Sequence, residues 1–177
     1  MKIIAIGALT AGGKTTTVNI LKDILADAKS LHFDNYEFEG QVDDYYKWVK
    51  EGSNYNAWNL KPMLDDIIKI KNSGKYKYLI LDYPFAYRND MIKKYIDLAV
   101  FIDTPLDIAL ARGILRDMKN SDAEEIRNWL KTYLDRSRIA FIQMLKDIRP
   151  SSDYIVDGTM EAEQIADKIA EYIKLIN

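Results

Sequence analysis

The stretch Ala8-Leu9-Thr10-Ala11-Gly12-Gly13-Lys14-Thr15 lies between an apolar run at residues 2–6 and a segment at 15–28 with helical spacing. In that segment Val18, Leu21, Ile24, Leu25 and Ala28 recur on one face. A short apolar run of this kind predicts a buried central strand. Strand, glycine loop and helix in that order make a cradle for phosphate. Glycine lets backbone N–H groups turn inward, and the helix N-terminus behind them favours negative charge. The pattern puts Lys14 within reach of the β- and γ-phosphates of a nucleoside triphosphate and the Thr15 hydroxyl on Mg²⁺. Ala11, Gly12, Gly13, Lys14, Thr15 and Thr16 are the expected nucleotide contacts, with ATP and Mg²⁺ as cofactors. The pattern G-x-x-x-x-G-K-T would set its first glycine at position 8, where this chain has Ala8; Gly7 lies one place earlier.

Outward from the loop, residues 30–33, 76–81, 98–102 and 154–156 read as four more strands. Helical patterns cover 15–28, 43–51, 57–72, 90–95, 106–118, 121–148 and 161–175, with Gly52-Ser53-Asn54 as a break. Pro105 fits a first helical turn. Ser121-Asp122-Ala123-Glu124 has capping-box spacing. Alternating strands and helices predict an α/β fold, a five-stranded parallel sheet with helices on both faces. Such sheets bind ligands outside the carboxyl ends of their strands. The glycine loop follows the first strand, Asp34 ends the second, Asp82 the third and Asp103 the fourth. All should converge on one edge.

Asp34 is a candidate general base for a hydroxyl acceptor, or a loop-capping aspartate. Asp82 closes an apolar run and is a candidate to hold Mg²⁺, or again a cap. Arg112 and Arg116 share one helical face. They can stabilise a transferring phosphoryl group from a closing lid, or form a solvated basic face; Arg127, Arg136 and Arg138 are weaker candidates. Tyr45, Tyr46, Trp48, Tyr55 and Trp58 give the stretch between strands two and three an aromatic character. It would cover the acceptor, or simply pack two helices. Asp34, Tyr36, Trp58, Tyr83 and Arg88 are the expected acceptor contacts. His32, the only histidine, reads as structural.

With 177 residues the chain is expected to form one domain, residues 1–177, in which 35–75 cover the acceptor and 112–128 form a lid. It has no cysteine, which excludes disulfides, thiolate zinc sites and a cysteine nucleophile. Lys+Arg is 25 and Asp+Glu is 27, a net charge of -2 that offers nucleic acid no general attraction. No stretch approaches the ~20 apolar residues of a membrane span. The expectation is a cytoplasmic protein whose partner is a small-molecule phosphoryl acceptor, not nucleic acid or a membrane, with a homodimer left open.

The quoted residues resemble the uridine kinase family. Residues 10–15 match its T-A-[SG]-G-K-[ST] loop, and Phe33-Asp34-Asn35-Tyr36 is similar to its Q-D-x-[FY] segment. Residues 79–87 resemble I-[LF]-E-G-I-L-x-F, with Asp82 at the acidic position. Residues 111–117 resemble the lid pattern R-R-[IV]-x-R-D, Arg112 and Arg116 matching and Gly113 departing. Residues 150–156 resemble the closing P-x-x-x-x-A-D-x-I-[IV] segment more loosely. The resemblance implies a P-loop NTPase fold with a small helical lid and ATP-dependent phosphorylation of a nucleoside-like hydroxyl, with Asp34 as base. The family's histidine- and arginine-bearing nucleoside segment is missing; residues 71–77 fill its place. Two other readings stand beside this one. A nucleoside monophosphate kinase would need arginines between strands two and three, and none lies between Leu31 and Arg88. A nucleotide-binding regulatory protein would bind without phosphotransfer. No Asn-Lys-x-Asp motif supports a GTPase switch.

Overall fold

Every strand of the sheet runs parallel to its neighbours, in the order β2-β3-β1-β4-β5. The computed structural model describes residues 1–176. Along the chain these are β1 (Lys2–Ala8), α1 (Lys14–Ile24), β2 (Ala28–His32), α2 (Tyr45–Lys50), α3 (Lys61–Ser73) and β3 (Tyr78–Asp82). Then follow β4 (Leu98–Asp103), α4 (Leu106–Asp117), α5 (Ala123–Thr132), α6 (Arg138–Asp147), β5 (Tyr154–Asp157) and α7 (Ala162–Leu175).

β1 is central, and its run is apolar because both faces of the sheet are covered. Alternate side chains feed two cores. Ile4 and Ile6 join Val18 and Leu21 of α1 and Ile165 and Ile169 of α7. Ile3 and Ala5 join Met63 and Ile67 of α3 and the ring cluster of Trp48, Tyr55, Trp58 and Phe85. Ile4 and Ile6 are fully buried, each stabilising the fold by about 1.5–3 kcal/mol relative to exposure. Among the described residues no helix is long and apolar enough to cross a membrane.

Several elements differ in extent from expectation. The helix expected at 90–95 is only a 3-10 turn, Lys93–Tyr95. The Asp90 amide donates to Asn56 Oδ1 and the Met91 amide to Asn89 Oδ1 just before it. The pattern at 57–72 starts later, at Lys61, because Tyr55–Ala57 forms its own turn and Pro62 suits the first helical turn. Asp44 caps α2 by accepting from the Lys47 amide. The capping box lies one residue beyond its expected place, on Asp122 and Glu125. The long helix expected at 121–148 runs without a break from Ala123 to Asp147, widened between α5 and α6 by the i→i+5 bonding of Tyr133–Ser137.

Candidate active site

The carboxyl ends of β1, β3 and β4 bring the glycine loop and Asp82 to one edge. The register sets Ile6 beside Asp82 on one side and His32 beside Asp82 on the other. Gly12 and Gly13 are needed there for different reasons. A Cβ on Gly12 would stand 2.8 Å from the Leu9 carbonyl oxygen and 3.1 Å from the Ala8 Cβ. The methyl of Ala8 is thus accommodated because position 12 has none. Gly13 has φ +92° and caps α1, a conformation costly for any other residue. α1 carries no acidic residue in its first turn, so its N-terminal partial charge is free to face an anion.

Asp82 is buried, and three side chains meet its carboxylate. Lys14 Nζ pairs with Oδ1. The Thr15 hydroxyl donates to Oδ2 at 2.6 Å, and His32 Nδ1 lies 3.1 Å from the same oxygen. Burial lowers the pKa of Lys14, opposed by the charge of Asp34. Burial also lowers that of His32, and the positive Lys14 adds to the effect. A hydroxyl and a carboxylate 2.6 Å apart are hard oxygen donors, a pair that suits Mg²⁺.

A cavity of about 710 Å³ opens from this edge. The loop residues Ala11, Gly12, Gly13, Lys14, Thr15 and Thr16 form its floor, with Asp34, Arg112 and Arg116 also on its lining. Asp34 lies past the end of β2, in the turn Phe33–Asn35, and is exposed. Arg112 donates to the Gly158 carbonyl at 3.2 Å. Arg116 makes two bonds to Asp117, which raise its pKa, and the charge of Asp34 adds to them.

Part of the lining is an aromatic wall. Phe33, Tyr45, Trp48, Tyr55, Trp58 and Phe85 line it. Trp58 packs on Phe85 at 4.8 Å between centroids and on Trp48 at 5.5 Å. Tyr45 stays 47 % exposed, its face turned on Trp58 at 6.5 Å. Met144, Phe141 and Ser137 also line the cavity. Asn89, buried, fastens the wall by donating to the Tyr55 and Trp58 carbonyls at 2.9 and 3.2 Å. Asp44 of the α2 cap pairs with Arg136 at 2.6 Å and joins the two flanks.

Of the five expected acceptor contacts, Asp34 and Trp58 lie on the lining and three do not. The Tyr36 hydroxyl donates to Asp66 at 2.8 Å and its ring stacks on Phe38. Tyr83 is fully buried under Phe33 and Phe85. Arg88 lies exposed against the Tyr55 ring, 5.6 Å from its centroid. Asp103 pairs with Arg149 at 2.9 Å instead of facing the cavity. Two residues of the site had no reading that pointed to it. One is His32, whose pairing with Asp82 depends on strand register. The other is Thr104, whose hydroxyl donates to the Gly12 carbonyl.

No family model matches the chain. A uridine kinase of Borrelia duttonii (strain Ly) is 24% identical over 179 residues, spanning 88% of this chain and 86% of that protein. Among solved structures, a shikimate kinase from Bacteroides thetaiotaomicron superposes with TM-score 0.55 at 12% identity, covering 98% of each chain. A sugar kinase from Janibacter sp. HTCC2649 gives TM-score 0.58 at 11% identity, covering 98% of this chain and 95% of that one. The structural likenesses concern the fold.

Proposed function

We propose that this chain, a phosphotransferase of the P-loop small-molecule kinase type, moves the γ-phosphoryl group of ATP to a hydroxyl of an uncharged, ring-bearing metabolite of nucleoside-like character. One observation carries the reading: a single cavity is lined by Lys14 and Thr15, both bonded to the buried Asp82 behind them, and by Asp34 and a set of aromatic rings.

The roles follow from the groups present. The amides of residues 12–16 and the Lys14 ammonium hold the phosphates. Thr15 and Asp82 would hold Mg²⁺, which neutralises charge on the phosphate oxygens when bound. Asp34, exposed on the lining, accepts the proton of the acceptor hydroxyl. Arg116, on the lining and within the field of Asp34, stabilises charge on the transferring group. Arg112 orders the nucleotide end through the Gly158 carbonyl.

The acceptor's charge follows from the lining. Its cations, Lys14, Arg112 and Arg116, lie on the loop and α1 or on α4. The wall contributes rings and no cation. An acceptor phosphate or carboxylate would have no partner there, at a cost of several kcal/mol, whereas a planar ring gains stacking area. The nucleoside monophosphate reading is weaker on this ground. The test is a nucleotide-release assay over nucleosides, hexoses, carboxylate-bearing alcohols and nucleoside monophosphates. Release with nucleosides is expected. ATP binding without release on any acceptor would point instead to a regulatory nucleotide-binding protein.

A further inference from the structure

Asp82 has three side-chain partners, and two of them have other work. With a triphosphate bound, the ammonium of Lys14 would turn to its phosphates and the hydroxyl oxygen of Thr15 would be a ligand for its metal. The third partner, His32, has no such call on it. It sits on β2 directly beside Asp82 in the strand register. Its Nδ1 lies 3.1 Å from Asp82 Oδ2, and its Nε2 lies 3.2 Å from Ser30 Oγ. A carboxylate only accepts hydrogen bonds, so the hydrogen is on Nδ1; in the neutral ring Nε2 then accepts from the Ser30 hydroxyl. The chain Ser30→His32→Asp82 fixes both the tautomer and the ring plane.

We infer that His32 is a positioning residue. It keeps the Asp82 carboxylate aimed when Lys14 and Thr15 turn to the nucleotide and its metal, and so sets the affinity of the Mg²⁺·nucleotide complex. This rests on the proposed triphosphate site. The role is that of an outer partner which orients a metal-binding carboxylate, where loss costs roughly 10–100-fold in metal affinity. The other reading is a histidine that only fills an edge strand. Lowering of its pKa by burial agrees with a neutral donor ring, though the geometry alone carries the inference.

The test measures ADP binding by calorimetry, first in EDTA and then across a Mg²⁺ titration, for the unaltered chain and for His32→Leu, His32→Asn and Ser30→Ala. Asparagine can present an N–H where Nδ1 stands; leucine cannot. The Leu variant is expected to need about tenfold more Mg²⁺ for half-maximal tightening, with metal-free ADP affinity kept within about twofold. The Asn variant should return to within about threefold of the unaltered chain. If the Leu variant fails to fold, Ser30→Ala carries the question, with an expected shift of roughly threefold in the same direction. An unchanged Mg²⁺ midpoint, an equal fall in metal-free affinity, or an Asn variant as poor as the Leu variant overturns the role. No ADP binding by the unaltered chain overturns the nucleotide site itself and this inference with it.

Discussion

The hydroxyl of Thr104 donates to the carbonyl of Gly12 at 2.9 Å, from a residue that is 1 % exposed. The bond fastens the phosphate loop to the end of β4. Valine has nearly the same volume but leaves the Gly12 carbonyl without this donor. Thr104→Val should cost about 1–3 kcal/mol in stability. It should also weaken nucleotide binding by loosening the loop. Thermal unfolding and ADP titration check this; a variant with native melting and native affinity would show the bond to be idle.

The loop glycines should separate in their effects. In Gly12→Ala the new methyl would meet the Leu9 carbonyl oxygen at 2.8 Å, so the loop backbone must shift. In Gly13→Ala the new side chain meets nothing within 4 Å, and the cost is that of φ +92° alone, about 1–3 kcal/mol. Gly12→Ala should therefore lose more nucleotide affinity than Gly13→Ala. Calorimetric titration of both variants with ADP ranks them, and the reverse order would contradict the account.

Asp34 is exposed on the lining and ends no hydrogen-bond network among the described residues, so its replacement should leave the fold intact. Asp34→Asn should cut kcat by roughly 10²–10⁴ if it receives the acceptor proton. ADP affinity should stay near that of the unaltered chain. Steady-state kinetics with the best acceptor of the panel decide it; an unaltered kcat would remove Asp34 from the role.

Two wall residues should respond in opposite ways. Trp58 is 2 % exposed, and Trp58→Ala should cost about 3–5 kcal/mol by opening a void among the rings. Tyr45 is 47 % exposed over the cavity; Tyr45→Ala should cost little stability yet raise the acceptor KM. Denaturant melts and acceptor kinetics on both variants test the split. An unchanged KM in the Tyr45 variant would mean that the acceptor does not use this ring.

Much of the fold was legible because the governing signals are local. An apolar run closed by an acid placed Asp82 at a strand end, and the glycine loop told which end of β1 carries chemistry. The aromatic stretch was legible as a segment, but not which rings face the cavity. Tyr36 and Tyr83 have the composition of contacts and instead spend themselves on Asp66 and on the ring core. His32 was illegible for a different reason. A lone histidine in a strand carries no pattern, and its value comes from lying beside Asp82 across β2 and β3. The wide turn at Tyr133–Ser137 left no mark either, since no proline or glycine announces it.

The bonding around Asn89 has a consequence for how such a chain can be retargeted. Residues 36–60 are bonded to the rest of the molecule by Asn89, by Asn56, which accepts from the Asp90 amide and donates to its carboxylate, and by the pairs Tyr36–Asp66, Asp44–Arg136 and Tyr55–Asp147. None of these bonds involves the loop, Asp82 or His32. The bonds that hold this segment are thus separate from those that hold the phosphate-handling edge. A graft that keeps these bonds and brings in arginine at the exposed position 45 would turn the wall toward anionic alcohols, with the phosphate-handling edge untouched.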